Sequence, residues 1–192
     1  TAGNALTDSA SDFTIAERAD YDVALRPGWN LVSLPGAPAA TAINTVVANA
    51  DISSVLTYDP TVPGGWSSAV RDADGTLAGT LTDITGSTAL WVYTSSFDAL
   101  SVDIPGIAAG ATQVLPSHKL AKGYNMVPVV ALDHATTSVD ADDYLTGLTW
   151  SRAYGYSNVN SKFVSILPVS ADTFTVGQGY WIFLDEAGTL VP

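Results

Sequence analysis

The residues that could do chemistry in this chain are few, and their spacing limits what they can do. His118 and His134 are the two imidazoles in 192 residues. Neither has a partner at a metal-binding spacing such as His-x-x-x-His, so both are read as structural or surface groups. Serines are plentiful, but no Gly-x-Ser-x-Gly elbow exists to present one as a nucleophile. Pro63-Gly64-Gly65 lacks the Lys and the following helix that a phosphate cradle needs, and reads as a turn. With no Cys there is neither a disulfide framework nor a thiolate metal site. No catalytic residue is expected, and the chain is not read as an enzyme.

Two kinds of residue remain. Asp72-Ala73-Asp74-Gly75 has the first half of a calcium loop but no acid at the far end to complete it, so a hairpin turn is the alternative. Asp140, Asp142 and Asp143 could also supply oxygens to calcium; equally, they stand where a helix start needs a cap and favours negative charge. Apart from calcium at these two places, no cofactor is expected. The aromatics are the other candidates, because an exposed ring can stack on a sugar face. Trp66, Trp150, Tyr154 and Tyr156 are placed in or beside loops and are the expected sugar-binding set. Trp29, Trp91 and Trp181 are expected in the core, where a large ring buries much apolar area.

The elements that must position these residues come twice. Leu25-Arg26-Pro27-Gly28-Trp29-Asn30-Leu31-Val32 returns as Leu120-Ala121-Lys122-Gly123-Tyr124-Asn125-Met126-Val127, a repeat of about 85 to 95 residues. In each copy a Gly permits a turn that an ordinary residue resists, and a buried strand follows. Ile43, Val46, Val47 and Ala50 behind a Thr41 cap, and Ala141, Tyr144, Leu145 and Leu148 behind Asp140, predict equivalent short helices. Strands are predicted at Ser54 to Tyr58 and Trp66 to Arg71, and at Trp150 to Tyr154 and Lys162 to Ile166. Loops at Asp59 to Gly65 and Gly155 to Ser161 join each pair as hairpins. Ile84 to Tyr93 aligns without a gap over Phe174 to Phe183, with a Trp at the same place in each. Last strands are predicted from Ala99 to Pro105 and from Gly188 to Pro192. The expected fold is mainly β: two pseudo-equivalent β-sandwich or barrel-like repeats, 21–106 and 107–192, each with one inserted helix. Residues 1–20 form an arm or edge strand ahead of them. Within it Asp12, Phe13, Thr14, Ile15, Ala16, Glu17 and Arg18 partly alternate. This stretch reads either as an edge strand on its own domain or as an arm that pairs with a neighbouring copy.

Composition narrows the partners. Apolar residues make up 47% and charged ones 14%, which argues against disorder. A net charge of −12 leaves no basic patch to release counterions from a phosphate backbone, which excludes nucleic acid, and disfavours an anionic membrane surface. No apolar run approaches the ~20 residues of a membrane span, so membrane insertion is not expected. The chain opens on Thr1 with no charged and then apolar leader, as a mature secreted chain or a cut piece would; the secreted chain is the expectation.

The order of these motifs resembles a family of repeat modules in secreted and cell-surface proteins of bacteria and archaea, with a Gly-Trp-Asn-Leu, Ser-Leu-Pro opening and a Gly-Tyr-Trp-Ile closing. The first opening is Gly28-Trp29-Asn30-Leu31-Val32-Ser33-Leu34-Pro35 and the second closing is Gly177-Gln178-Gly179-Tyr180-Trp181-Ile182. Each half departs at the other end: Ala89-Leu90-Trp91-Val92 lacks Gly-Tyr, and Tyr124-Asn125-Met126-Val127-Pro128 lacks Ser-Leu-Pro. The resemblance implies an extracellular β-rich module without defined catalytic residues. The expected function is therefore that of a non-catalytic structural or interaction module, a surface-layer, envelope, filament or virion-surface component, whose partners are its own copies or other surface proteins. The alternative is a carbohydrate-binding module using loop aromatics.

Overall fold

The computed structural model describes residues 21–105, 116–131 and 136–192. The expected arm with its Asp12 to Arg18 segment, the junction at Gly106 to Gly110, and His134 lie outside the described residues.

The fold is mainly β, built from several antiparallel sheets in a sandwich-like arrangement. In the first half, β1 (Tyr21–Leu25) pairs with β7 (Asp98–Val102). The larger sheet runs β2 (Gly28–Leu34), β6 (Thr88–Thr94), β3 (Ile52–Tyr58), β4 (Trp66–Arg71), β5 (Leu77–Gly79). In the second half, β8 (His118–Leu120) pairs with β15 (Gly188–Leu190), and the larger sheet runs β9 (Gly123–Pro128), β14 (Gly179–Leu184), β11 (Trp150–Ser157), β12 (Lys162–Ile166). The order of pairing is thus the same in both halves up to the fifth strand. Even the register shift recurs, between Ile52 and Ser54 on β3 and between Trp150 and Arg152 on β11. A further pair in the second half, β10 (Ser138–Asp140) with β13 (Thr173–Thr175), corresponds to a single bridge between Ala42 and Asp83 in the first.

The Gly-aromatic-Asn motif has a physical reason. Gly28 and Gly123 take φ of 97° and 99°, a left-handed backbone that a Cβ would strain. The buried Asn30 then closes the turn: its Oδ1 accepts from Arg26 N–H at 3.1 Å, and its Nδ2 donates to Arg26 O at 2.8 Å and Gly28 O at 3.0 Å. Asn125 repeats this on Ala121 and Gly123, at 2.9, 2.8 and 3.0 Å. A carboxamide is required because the site needs a donor and an acceptor on one planar group.

The helices are shorter than their spacing predicts. Each is a single turn, α1 at Ile43–Val46 after β2 and α2 at Ala141–Tyr144 directly after β10. Thr41 does not cap α1; its hydroxyl donates to Asp83 at 3.1 Å, Ala42 holds the cap position without a side-chain bond, and Ala50 is exposed. Asp140 does cap α2, its Oδ1 accepting from Asp142 and Asp143 N–H at 2.9 and 3.1 Å. Gly147, with φ of 85°, turns the chain out before Leu148 can extend the stripe.

Apolar side chains gather into three clusters. One lies within residues 23–104 and includes Leu34, Ile52, Val55, Leu90 and Leu100. The second lies within residues 120–190 around Leu145, Phe174, Ile182 and Leu184. Each such side chain contributes about 1.5–3 kcal/mol relative to exposure. The third is drawn from both halves: Leu31, Ala89 and Met126, with Tyr58, Trp91, Tyr156 and Trp181 packed against it. Gly179 allows this approach, since a Cβ there would stand 2.9 Å from Ala89 Cβ and 3.0 Å from Leu31 Cδ1. Polar bonds also cross: Ser33 N–H donates to Gly177 O at 2.9 Å, Ser33 Oγ donates to Gln178 O and accepts from Val129 N–H, and Asn158 Nδ2 reaches Trp29 O at 2.7 Å. Among the described residues no helix is long and apolar enough to cross a membrane.

Candidate functional site: a ring-covered face

Strand alternation sends every second residue of β2, β6, β3, β9, β14 and β11 to the face opposite each half's own core. On that face the sequence places rings. Trp29 stands edge-on to Tyr93 and Trp91, with centroids 5.2 and 6.2 Å apart. Trp91 meets Tyr156 at 4.8 Å and Phe163 at 6.0 Å, and Phe163 leads through Tyr154 to Tyr124. Tyr124 touches Phe183 and Trp181, and Trp181 is covered by Tyr58 at 5.1 Å and Trp66 at 5.6 Å. The rings form one connected chain across both halves, mostly edge to face, the geometry in which a positive ring edge meets a negative ring face.

Two shallow grooves open on this face. The first, about 270 Å³, is lined by Trp29, Leu56, Trp66, Trp91 and Tyr156. The second, about 420 Å³, is lined by Tyr124, Tyr154, Phe163, Trp181 and Tyr58. Counted along the ladders, these two sets match place by place in the order given. The exchange is reciprocal: the second half lends Tyr156 to the first groove, and the first half lends Tyr58 to the second. Beside the second groove the guanidinium of Arg152 is held above its ordinary range, first by its hydrogen bond with the Tyr154 side chain and then by nearby charge.

The expected sugar-binding residues divide on this geometry. Trp66 is exposed, and Tyr154 and Tyr156 are half-buried within the ring chain; Tyr154 lies in a strand as expected, whereas Tyr156, expected in the Gly155 to Ser161 loop, also lies in β11, which runs on to Ser157. Trp150 is a correction. It is only 9% exposed inside the second core cluster, because it occupies the inward place that Ile52 holds in β3, and offers no open face. Of Trp29, Trp91 and Trp181, all expected in the core, Trp91 and Trp181 are half-buried and pack against the cluster shared by the two halves, and the correction falls on Trp29. Trp29 is 36% exposed because alternation puts it, two residues before Leu31, on the face away from its half's own core and toward the rim of the shared cluster. What the sequence reading missed is Tyr124, Phe163 and Tyr58. The signal available was their period-two placement with the tryptophans.

The aspartates are placed as turn and cap. Asp72 Oδ1 accepts from Asp74 N–H at 3.0 Å and Thr76 N–H at 2.9 Å, closing the β4–β5 turn over Gly75. Asp140 is committed to α2, and Asp142 Oδ2 accepts from Val169 N–H at 2.8 Å. Among the described residues no three acidic or imidazole groups converge as a metal would need. No family model matches this chain, and neither a curated protein nor a solved structure matches it.

Proposed function

We propose that this chain is a non-catalytic structural and interaction module outside the cell, a component of a surface layer, envelope, filament or virion surface, and that the ring-covered face is where it meets protein partners. The observation that carries the reading is the continuous chain of rings in which Trp29, Trp66, Tyr93, Tyr124 and Phe163 stand exposed around those packed between the halves, since an exposed apolar patch of this kind marks an interaction surface. The grooves are shallow, and their walls hold no carboxylate, imidazole or carboxamide to move a proton or orient a hydroxyl. That composition favours apolar protein side chains over a sugar ring, which needs directed hydrogen bonds besides stacking. The secreted, two-repeat organisation with boundaries near residues 21, 106 and 192 belongs to this proposal, supported by the motif resemblance and by the two separate core clusters. So do the exclusions of nucleic acid and of a required cofactor; calcium at Asp72, Asp74, Asp140, Asp142 and Asp143 is the optional exception.

The first partner to test is a second copy. Sedimentation of the wild type, of Trp29→Ala with Tyr124→Ala, and of a chain lacking residues 1–20 separates the routes. Loss of association in the ring variant supports the face; loss only in the shortened chain assigns pairing to Asp12 to Arg18. The second reading, carbohydrate binding, is favoured by the exposed Trp66 ring. Reproducible binding on a glycan array, abolished by Trp66→Ala or Tyr156→Ala, would replace the first reading with it.

A further inference from the structure

The two halves treat the outer edge of their larger sheets differently. In the first half β5 lies against β4, pairing Ala69 with Gly79, Val70 with Ala78 and Arg71 with Leu77. The cover continues where Leu81 N–H donates to Ser68 O at 2.9 Å and Ser68 N–H donates to Thr80 Oγ1 at 3.0 Å. In the second half, residues 167–172 run from β12 directly to β13, with Pro168 where Arg71 stands, and Val169 N–H donates to the Asp142 side chain in α2. Among the described residues no strand pairs with the outer edge of β12.

This edge lacks the usual protections against another strand. It has no Pro between Lys162 and Ile166, its register on β11 is unbroken, and one Lys is its only charge. Phe163, Val164 and the following Leu167 are exposed apolar residues on it. In a chain of net charge −12, a strand with no carboxylate is also where two copies meet with least repulsion. We propose that β12 pairs antiparallel with β12 of a second copy across a two-fold axis through Val164, joining their four-stranded sheets into one. The proposal rests on the self-associating reading above and gives it a site.

The register follows from the first half. Ser165 holds the place of Ser68, whose N–H and C=O both point outward, so alternation turns the backbone groups of Phe163 and Ser165 outward and those of Val164 inward. Val164 then meets its own copy in a non-hydrogen-bonded pair, Cα atoms about 4.5 Å apart, with Phe163 and Ser165 bonding across on either side. Lys162 falls opposite Ile166, so no like charges face each other. The ring faces of both copies come out on the same side and run on from Phe163 into one surface.

The test uses the full chain, which has no Cys of its own. Val164→Cys should form a disulfide dimer under mild oxidation at least about tenfold faster than Val70→Cys, whose residue is as exposed but whose strand edge is covered by β5. Val164→Glu, which sets two carboxylates face to face, should weaken wild-type dimerisation about tenfold or more by sedimentation, with Val164→Thr near wild type. Far-ultraviolet dichroism checks that each variant folds. A dimer indifferent to Val164→Glu, with cross-linking no faster than at Val70, overturns the edge and leaves self-association standing; if Trp29→Ala with Tyr124→Ala abolishes it, the ring face holds the contact. A wild type that stays monomeric at all concentrations overturns both the edge and self-association.

Discussion

The first half holds its small helix and outer strands with polar clamps, where the second uses rings. Arg71 reaches four carbonyls, those of Ile52, Gly75, Val47 and Asn49, at 2.6 to 3.2 Å. Asn44 adds a two-way bond to Leu77 through its carboxamide. The second half has Pro168 in Arg71's place and instead stacks Tyr144, Phe174 and Tyr180, with centroids 5.9 and 4.5 Å apart. Its tyrosine hydroxyls do the linking: Tyr144 donates to Pro128 O and accepts from Val130 N–H, and Tyr180 accepts from Thr175 N–H. Burial pushes the Tyr144 phenol up to about 12. One strand order therefore tolerates two ways of fixing what hangs on it.

The largest effect expected from this contrast is in the two cores. Phe174 is fully buried and Ile84, its aligned counterpart, nearly so. Phe174→Ala should cost about 3–5 kcal/mol, because two rings lose their partner and the space is too large to close. Ile84→Ala should cost about 2–4 kcal/mol, since that site is smaller and walled by aliphatic side chains. Urea unfolding read by tryptophan fluorescence compares them, and equal losses would show that the ring stack gives the second half nothing extra.

A smaller and symmetric effect tests what the halves share. Asn30→Ala and Asn125→Ala each leave the same three backbone groups without partners, at about 1–3 kcal/mol. The two losses should agree within about 0.5 kcal/mol, an additivity-scale error for separate sites. Clearly unequal values would mean that the repeated motif is not energetically equivalent.

What the sequence made legible follows from where the motif is tight. Gly28-Trp29-Asn30 and Gly123-Tyr124-Asn125 both mark turns because one residue must take positive φ and one side chain must close the loop, and both demands are local. The strands from Trp66 to Arg71 and from Lys162 to Ile166 also lie where alternation puts them. The helices were over-read, because an i, i+3, i+4 spacing also fits one turn followed by a bend. The candidate site was half legible. Aromatic residues at period two in β6 and β14 look the same whether their face meets a core or the open side of a sheet, and that choice depends on where the other half docks. Trp29 stands exposed for this reason while Trp91 and Trp181 pack against the cluster shared by the halves, and Trp150 is buried by its own half's core instead. The missing counterpart of β5 was legible only by comparing lengths: thirteen residues lie between Ala69 and Asp83, whereas Ile166 and Thr173, at the equivalent places, are separated by six.

A third comparison separates the helix starts. Asp140→Ala removes two cap bonds and a negative charge from the first turn of α2, at about 1 kcal/mol. Thr41→Ala removes only an exposed bond to Asp83 and should fall within about 0.5 kcal/mol of wild type. Thermal unfolding of the two variants measures the difference, and a loss at Thr41 as large as at Asp140 would restore it as a cap.

The smallest effect concerns the equivalent strands β1 and β8, where Val23 in the first half is matched by His118 in the second. His118 lines a crevice of about 470 Å³ between the halves, together with Lys119, Asp59 and Asp83. Burial lowers its pKa below the ordinary histidine value, so the fold favours the neutral ring despite the two carboxylates across the crevice. In the unfolded chain the ring takes protons near its ordinary pKa of about 6.5. Between that value and the depressed folded value the unfolded state binds more protons, so stability must fall as pH drops. The contribution is complete above the unfolded pKa and is lost progressively below it, until the folded pKa is passed. His118→Val, which copies the first half, should flatten this slope below the ordinary histidine pKa of about 6.5 while leaving stability near neutral pH almost unchanged. Placing the imidazole in the other half by Val23→His should steepen it, because Val23 is more deeply buried than His118. Urea midpoints across that range for the wild type and both variants make the test. An unchanged slope in His118→Val would assign the acid sensitivity to carboxylates and leave the two strands alike.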